Sequence, residues 1–68
     1  MERKKLIGWV IKSKKRINDS KYNIEPNEEF EIVNAIDRKI IVCDIKGNEY
    51  YIDLDCIRKN FELVCELS

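Results

Sequence analysis

The sequence contains no histidine, only two glycines and a single proline. Without histidine, the commonest general base, the Ser–His and Cys–His pairs and the imidazole metal ligands are all missing. Two isolated glycines, Gly8 and Gly47, cannot form a glycine-rich loop that holds a phosphate group. Charged residues make up 38% of the chain, so carboxylates and lysines become neighbours by chance alone. We therefore expect a protein that is not an enzyme and has no cofactor.

Long apolar runs are missing too, and cysteines are few. No run approaches the roughly 18 apolar residues of a membrane span, and the short apolar stretch after residue 5 has no signal-peptide cleavage site. Cys43, Cys56 and Cys65 are odd in number and form no Cys-X-X-Cys motif. Free, buried thiols in a reducing compartment are the expected state. The sequence thus predicts a cytoplasmic protein without a metal site or membrane association.

The apolar residues that are present favour strands. Eleven isoleucines and four valines stand against one alanine, four leucines and one methionine. β-branched side chains lose rotamer freedom in a helix and pack well on a pleated surface. At 68 residues and 44% hydrophobic content the chain supports one core at most. We expect a single all-β domain over residues 1–68.

Alternation of apolar and polar residues predicts five short strands, over residues 6–12, 28–36, 39–45, 49–54 and 61–67. Gly47 supplies the positive φ that the turn between the third and fourth predicted strands needs. Asp37-Arg38 closes a tight turn between the second and third. Residues 13–27 form a long polar loop, and residues 55–60 form one helical turn with Asp55 as its N-cap. The predicted core comprises Ile7, Phe30, Ile32, Ile41, Ile52, Leu54 and Leu63.

The first strand has an alternative. The apolar residues between Leu6 and Ile17 also recur at three- and four-residue spacing, as on one face of a basic amphipathic helix. Gly8 and the β-branched content of this segment oppose a helix by about 1 kcal/mol in total. The strand is therefore the preferred interpretation.

The order of these segments resembles a Src-homology-3-like (SH3-like) barrel. In residues 50–64 (YYIDLDCIRKNFELV) a strand leads into one helical turn, an Asn-aromatic pair and a last strand. The long first loop and the glycine-containing hairpin are similar as well. The resemblance implies a small five-stranded antiparallel barrel. The Ala-Leu-Tyr-Asp-Tyr pattern and the paired tryptophans of eukaryotic proline-rich-peptide binders are absent, so the likeness is to bacterial and phage barrels that serve as interaction modules.

One candidate protein-binding site lies on the fourth predicted strand. There Tyr51 stands between the acidic residues Glu49 and Asp53 on one strand face. Tyrosine is enriched at interfaces, and the two carboxylates suit a basic or amphipathic protein surface. An ordinary solvated strand face has the same pattern. Because the net charge is zero, we favour a protein-binding adaptor or inhibitor over a nucleic-acid binder. The resemblance implies a bacterial or phage origin, and dimerisation through Tyr51 is left open.

The alternative function is nucleic-acid binding through the basic first strand and loop. Residues 1–21 carry eight basic and two acidic groups, whereas residues 22–68 carry five basic and eleven acidic groups. Trp9 could stack on a base while lysines and arginine neutralise phosphates. However, Trp9 also alternates with two isoleucines, as a core residue would. The residues of this candidate site are Trp9, Lys12, Lys14, Lys15 and Arg16.

Overall fold

The fold is taken from a computed structural model, which describes residues 6–66 of the chain. Most of these residues form strands, and one short helix precedes the last strand. The elements in chain order are β1 (Trp9–Ser13), β2 (Ile17–Asn18), β3 (Asn23–Ile24), β4 (Glu29–Ile36), β5 (Lys39–Cys43), β6 (Glu49–Asp53), α1 (Leu54–Asn60) and β7 (Phe61–Glu66).

Five strands form one antiparallel sheet in the order β6-β5-β4-β1-β7. The all-β class and the five predicted strands are confirmed, although Leu67 of the last predicted strand lies outside the described residues. Helix α1 connects β6 to β7, the two ends of this strand order. The register shifts at two places, as at a β-bulge: opposite Val10 and Ile11 in the β1–β7 ladder, and between Ile32 and Asn34 in the β4–β5 ladder.

The core follows from alternation on β4 to β6. Phe30 is fully packed and meets the rings of Tyr50 and Phe61 edge-on, at centroid distances of 5.6 and 6.0 Å. Such edge-to-face pairs add to the free energy of burial. The predicted core residues Phe30, Ile32, Ile52 and Leu54 are confirmed. The full cluster contains Ile11, Ile24, Phe30, Ile32, Ile40, Val42, Ile52, Leu54, Ile57 and Phe61.

Two core assignments need correction. Ile7 is 41% exposed, because β1 begins only at Trp9, after a turn in which Gly8 has a φ of 95°. Leu63 is 51% exposed, because β7 is the last strand of the sheet and its alternation is broken beside a bulge. The predicted core residue Ile41 is buried as expected, although it lies outside the main cluster, which Ile40 and Val42 join.

The segment after Gly8 is a strand, which confirms the preferred interpretation and not the alternative of a helix. Val10, Ile11 and Lys12 pair with β4 on one side, and the same strand pairs with β7 on the other. A central strand with two partners suits the β-branched residues Val10 and Ile11.

The long loop of residues 14–28 is folded back onto the sheet by Ser13. The buried Ser13 hydroxyl donates to the carbonyl oxygen of Glu25 and accepts the N–H of Glu28 at 3.0 Å. Within the loop, β2 and β3 form a two-residue ribbon that the sequence prediction missed. Ile24 of this ribbon is fully buried, so the loop contributes to the core.

Helix α1 begins one residue earlier than predicted. Its N-cap is Asp53, which makes no capping hydrogen bond with its side chain, and Leu54 is the first helical residue. Asp55 is therefore not the cap. Its carboxylate lies in the first turn and pairs with Arg38 at 3.3 Å. Leu54 and Ile57 face the core and attach the helix to the sheet.

The three cysteines are free. Cys56 accepts hydrogen bonds from the Asn60 side chain at 3.3 Å and from the Tyr22 hydroxyl at 3.9 Å. Cys43 and Cys56 are half-buried, whereas Cys65 is exposed. The expectation of buried thiols is therefore wrong for Cys65, which lies on the irregular, uncovered part of β7.

Candidate protein-binding surface

Strand β6 presents Glu49, Tyr51 and Asp53 to solvent, while Tyr50 and Ile52 point toward the core. Tyr51 is 56% exposed. The structure thus places the three residues of the candidate protein-binding site on one face of one strand, as expected from their spacing of two. We refer to the outward side of β5 and β6 around Tyr51 as the Tyr51 face.

The neighbouring strand completes the Tyr51 face. Tyr51 lies opposite Ile41, which is buried although it belongs to the outward side of β5. Further along, Ile36 of β4 is half-exposed and lies opposite Lys39. Tyr51 therefore stands on an apolar base rather than among solvated side chains alone. An exposed aromatic residue that lies on buried apolar side chains can anchor a partner, because its ring is desolvated on binding.

The charge of Asp53 is compensated within the domain. Lys39 lies opposite Asp53, and its ammonium group donates a hydrogen bond of 2.6 Å to the carboxylate. This hydrogen bond, together with the lysine charge, lowers the pKa of Asp53 below its usual value. Asp53 is therefore engaged already. The sequence analysis predicted that the Asp53 carboxylate faces a basic partner protein, and it did not identify Lys39 as its partner within the domain.

The uncompensated negative charge lies at the other end of the face. Glu49 pairs across the ladder with Cys43, and Cys43 pairs with Glu31 on the next strand. Among the side chains of residues 6–65 neither glutamate has an ion-pair partner. Glu31 was not among the predicted site residues. The alternation of Glu29 and Glu31 with Phe30 and Ile32 was the signal that could have placed it outward.

Beyond Glu49, the hairpin turn is ordered by one carboxylate. Asp44 accepts the backbone N–H groups of Lys46 and Asn48, both at 2.9 Å, and the Asn48 amide at 3.2 Å. Burial alone would raise the pKa of Asp44, but these bonds and the Tyr50 hydroxyl lower it overall. Gly47 has the predicted positive φ, 92°.

Ile45 projects from this turn and is 94% exposed. The prediction placed Ile45 in a strand over residues 39–45, but β5 ends at Cys43. The chain turns there because the Asp44 carboxylate accepts the backbone N–H groups of Lys46 and Asn48. An aliphatic side chain on an ordered loop costs little conformational entropy when a partner covers it. Ile45 is thus an exposed aliphatic side chain next to the Tyr51 face, where the sequence predicted a strand residue.

The candidate nucleic-acid site is divided by the structure. Trp9 is half-buried and packs against the core cluster. Lys14 follows Trp9 by five positions along extended chain, or roughly 16 Å at about 3.3 Å per residue. Lys12 points away from the core side of β1, where Trp9 and Ile11 pack. Trp9 and the loop lysines therefore do not form one compact surface.

The positive charge of this candidate site is partly engaged. Arg16 donates two hydrogen bonds of 2.7 and 2.9 Å to the Glu25 carboxylate. Lys12 lies 3.7 Å from Glu62. Lys14 and Lys15 are exposed and, in the described part of the chain, have no ion-pair partner. Of the residues of this candidate site, Lys14 and Lys15 are thus the cations available to an anionic partner.

Between residues 6 and 66 no three His, Cys, Asp or Glu side chains gather as ligands for a metal ion. No helix in the same range is long and apolar enough to cross a membrane. Models of known protein families, curated proteins and solved structures give no match to this chain.

Proposed function

We propose that this domain is a non-enzymatic protein-binding module, an adaptor or inhibitor, and that the Tyr51 face is its binding surface. The single observation that carries the proposal is the exposure of Tyr51 above the buried Ile41, between two outward carboxylates. Tyrosine provides a large contact area at a low cost in side-chain entropy. The partner of this face is a basic protein surface with an apolar pocket.

The surrounding charges support a division of roles. The ion pair of Lys39 and Asp53 fixes one end of the face, so its contribution is orientation of the strand rather than attraction. Glu49 and Glu31, at the other end, attract a basic partner and accelerate its association. Tyr51 then supplies most of the affinity, because buried aromatic residues dominate interface energetics.

The barrel form and the setting belong to the same proposal. The sheet curls into a small SH3-like barrel with α1 at its open seam. The similar dimensions of the molecule, 27 × 22 × 21 Å, are in keeping with a closed rather than a flat sheet. We further propose that the protein is cytoplasmic, since its thiols are free. A bacterial or phage origin is proposed from the resemblance to barrels of that kind.

The test is affinity capture from a bacterial lysate with the wild-type domain and with Tyr51→Ala, followed by binding of the purified partner. A partner retained by the wild type and lost by Tyr51→Ala supports the proposal. The matched control is Lys14→Glu with Lys15→Glu, which should slow association only modestly. If the lysine reversals abolish binding and affinity falls steeply with salt, the domain binds nucleic acid instead.

A further inference from the structure

A second feature lies away from the Tyr51 face, where α1 meets β1 and β7. An apolar pocket of about 220 Å³ opens there to solvent. Its floor is formed by the buried residues Ile11, Ile57 and Phe61. Its walls are Leu6, which is half-buried, and Leu63, which is 51% exposed. The pocket therefore reaches the core from the surface.

The size of the pocket indicates its occupant. An apolar cavity of about 150 Å³ in a protein binds benzene, so a pocket of about 220 Å³ accommodates one large apolar side chain such as phenylalanine or leucine. Leu63 is 51% exposed and does not belong to the core cluster. A side chain inserted between Leu63 and the floor would cover it.

The rim of the pocket carries one available cation. Arg58 and Glu62 line the opening, and the Glu62 carboxylate lies 3.7 Å from the Lys12 ammonium group. For Arg58, by contrast, residues 6–65 supply no ion-pair partner, and the adjacent Lys59 is exposed and equally unpaired over that range. Arginine binds carboxylates in a two-pronged geometry. The charge at the rim is thus complementary to a carboxylate next to the inserted side chain.

We propose that this pocket binds a peptide segment of a partner protein through one large apolar side chain and an adjacent carboxylate. This inference goes beyond the proposed function, because the Tyr51 face selects a basic partner and the pocket selects an acidic one. A domain with both sites can link two proteins of opposite charge. The carboxylate can come from a chain terminus or from an aspartate or glutamate side chain.

The probes are N-acetyl-L-phenylalanine, its neutral amide and N-acetylglycine, added to the full chain and followed by two-dimensional ¹H–¹⁵N NMR. N-acetyl-L-phenylalanine should shift the amides of Leu6, Ile57 and Leu63 saturably, with a Kd on the order of 1–10 mM. The amide should bind roughly 2- to 5-fold more weakly, as for loss of an exposed ion pair. N-acetylglycine should not bind. The affinity of the amide, Ac-Phe-NH₂, is then compared with that of Ac-Phe-Asp-NH₂. Tighter binding of the second peptide shows that a side-chain carboxylate can replace a terminal one.

Two variants complete the test without threatening the fold, since both residues are exposed. With Arg58→Gln, the acid and its amide should bind equally. With Leu63→Ala, both should bind more weakly. Tyr51→Ala should leave the binding of the acid and of the amide unchanged. A failure of the pocket proposal can therefore be distinguished from a failure of the Tyr51 face.

Three results would overturn the inference: no saturable shift at the pocket, equal binding of acid and amide by the wild type, or shifts that depend on protein concentration alone. Contacts between residues 1–5 and the pocket that persist when the probe is added would overturn it too, because the chain itself would then be the occupant.

Discussion

Lys39 and Asp53 lie directly opposite each other on β5 and β6, and 2.6 Å separates the lysine Nζ from the nearer carboxylate oxygen. The pair joins the last residue of β6 to the first residue of β5, where the chain turns into α1. Asp53 is also the N-cap position of that helix, but its carboxylate bonds to Lys39 instead of to the helix. The pair thus fixes one end of the Tyr51 face.

Asp53→Asn should reduce stability at neutral pH, and the reduction should disappear in acid. The lowered pKa of Asp53 means that its stabilising contribution is present above the usual carboxyl pKa and is lost as pH falls through the lowered value. Urea denaturation of both proteins from pH 7 to pH 2 measures this convergence. In a Lys39→Met background the substitution should have little effect. A constant difference at every pH would contradict the assignment.

Ile52→Ala should destabilise the domain by about 2–5 kcal/mol, because the lost side chain leaves a cavity in the core. The control is Ile45→Ala, the same substitution at a side chain that is 94% exposed, for which we expect a change within about 0.5 kcal/mol. Urea unfolding measures both. Equal losses would mean that Ile45 packs against the domain in solution.

Asp44→Ala should release the hairpin turn while the sheet stays folded. The N–H groups of Lys46 and Asn48 lose their common acceptor, so their hydrogen exchange should accelerate. Exchange at Ile40 and Val42, in the core part of β5, is the internal control and should change little. If the turn amides keep their protection, the Asp44 side chain is not what orders the loop.

Thiol labelling should separate the three cysteines by rate. Cys65 is exposed, whereas Cys43 and Cys56 are half-buried. A maleimide under native conditions should therefore modify Cys65 first, with mass spectrometry of the digested protein locating the label. Labelling in urea should make the rates similar. Fastest labelling at Cys56 would show that α1 opens readily from the sheet.

Much of this fold could be predicted from alternation. Glu29 to Ile32 and Tyr50 to Ile52 give the correct inward and outward sides, since a single strand face follows from spacing alone. The errors occur where backbone hydrogen bonds or bulges override the pattern. Gly8 moves the start of β1 past Ile7, and the bulge beside β7 exposes Leu63.

The candidate sites were predictable to different degrees. The spacing of Glu49, Tyr51 and Asp53 was sufficient to place them on one face. Their partners come from other strands, so Lys39 and Glu31 required the register of the sheet. Similarly, the exposure of Ile45 depends on the hydrogen bonds that Asp44 accepts in the turn. A pattern of apolar residues does not predict such bonds.

The central claim is that the Tyr51 face binds a protein, and the affinity of the purified partner for Tyr51→Ala tests it most directly. Isothermal titration calorimetry should give a Kd at least about 5-fold higher than for the wild type, as the loss of roughly 1 kcal/mol at an aromatic anchor requires. Tyr51→Phe should retain most of the affinity, and the unfolding midpoint of Tyr51→Ala should stay close to that of the wild type. An unchanged Kd for Tyr51→Ala, with binding lost on reversal of Lys14 and Lys15, would contradict the claim.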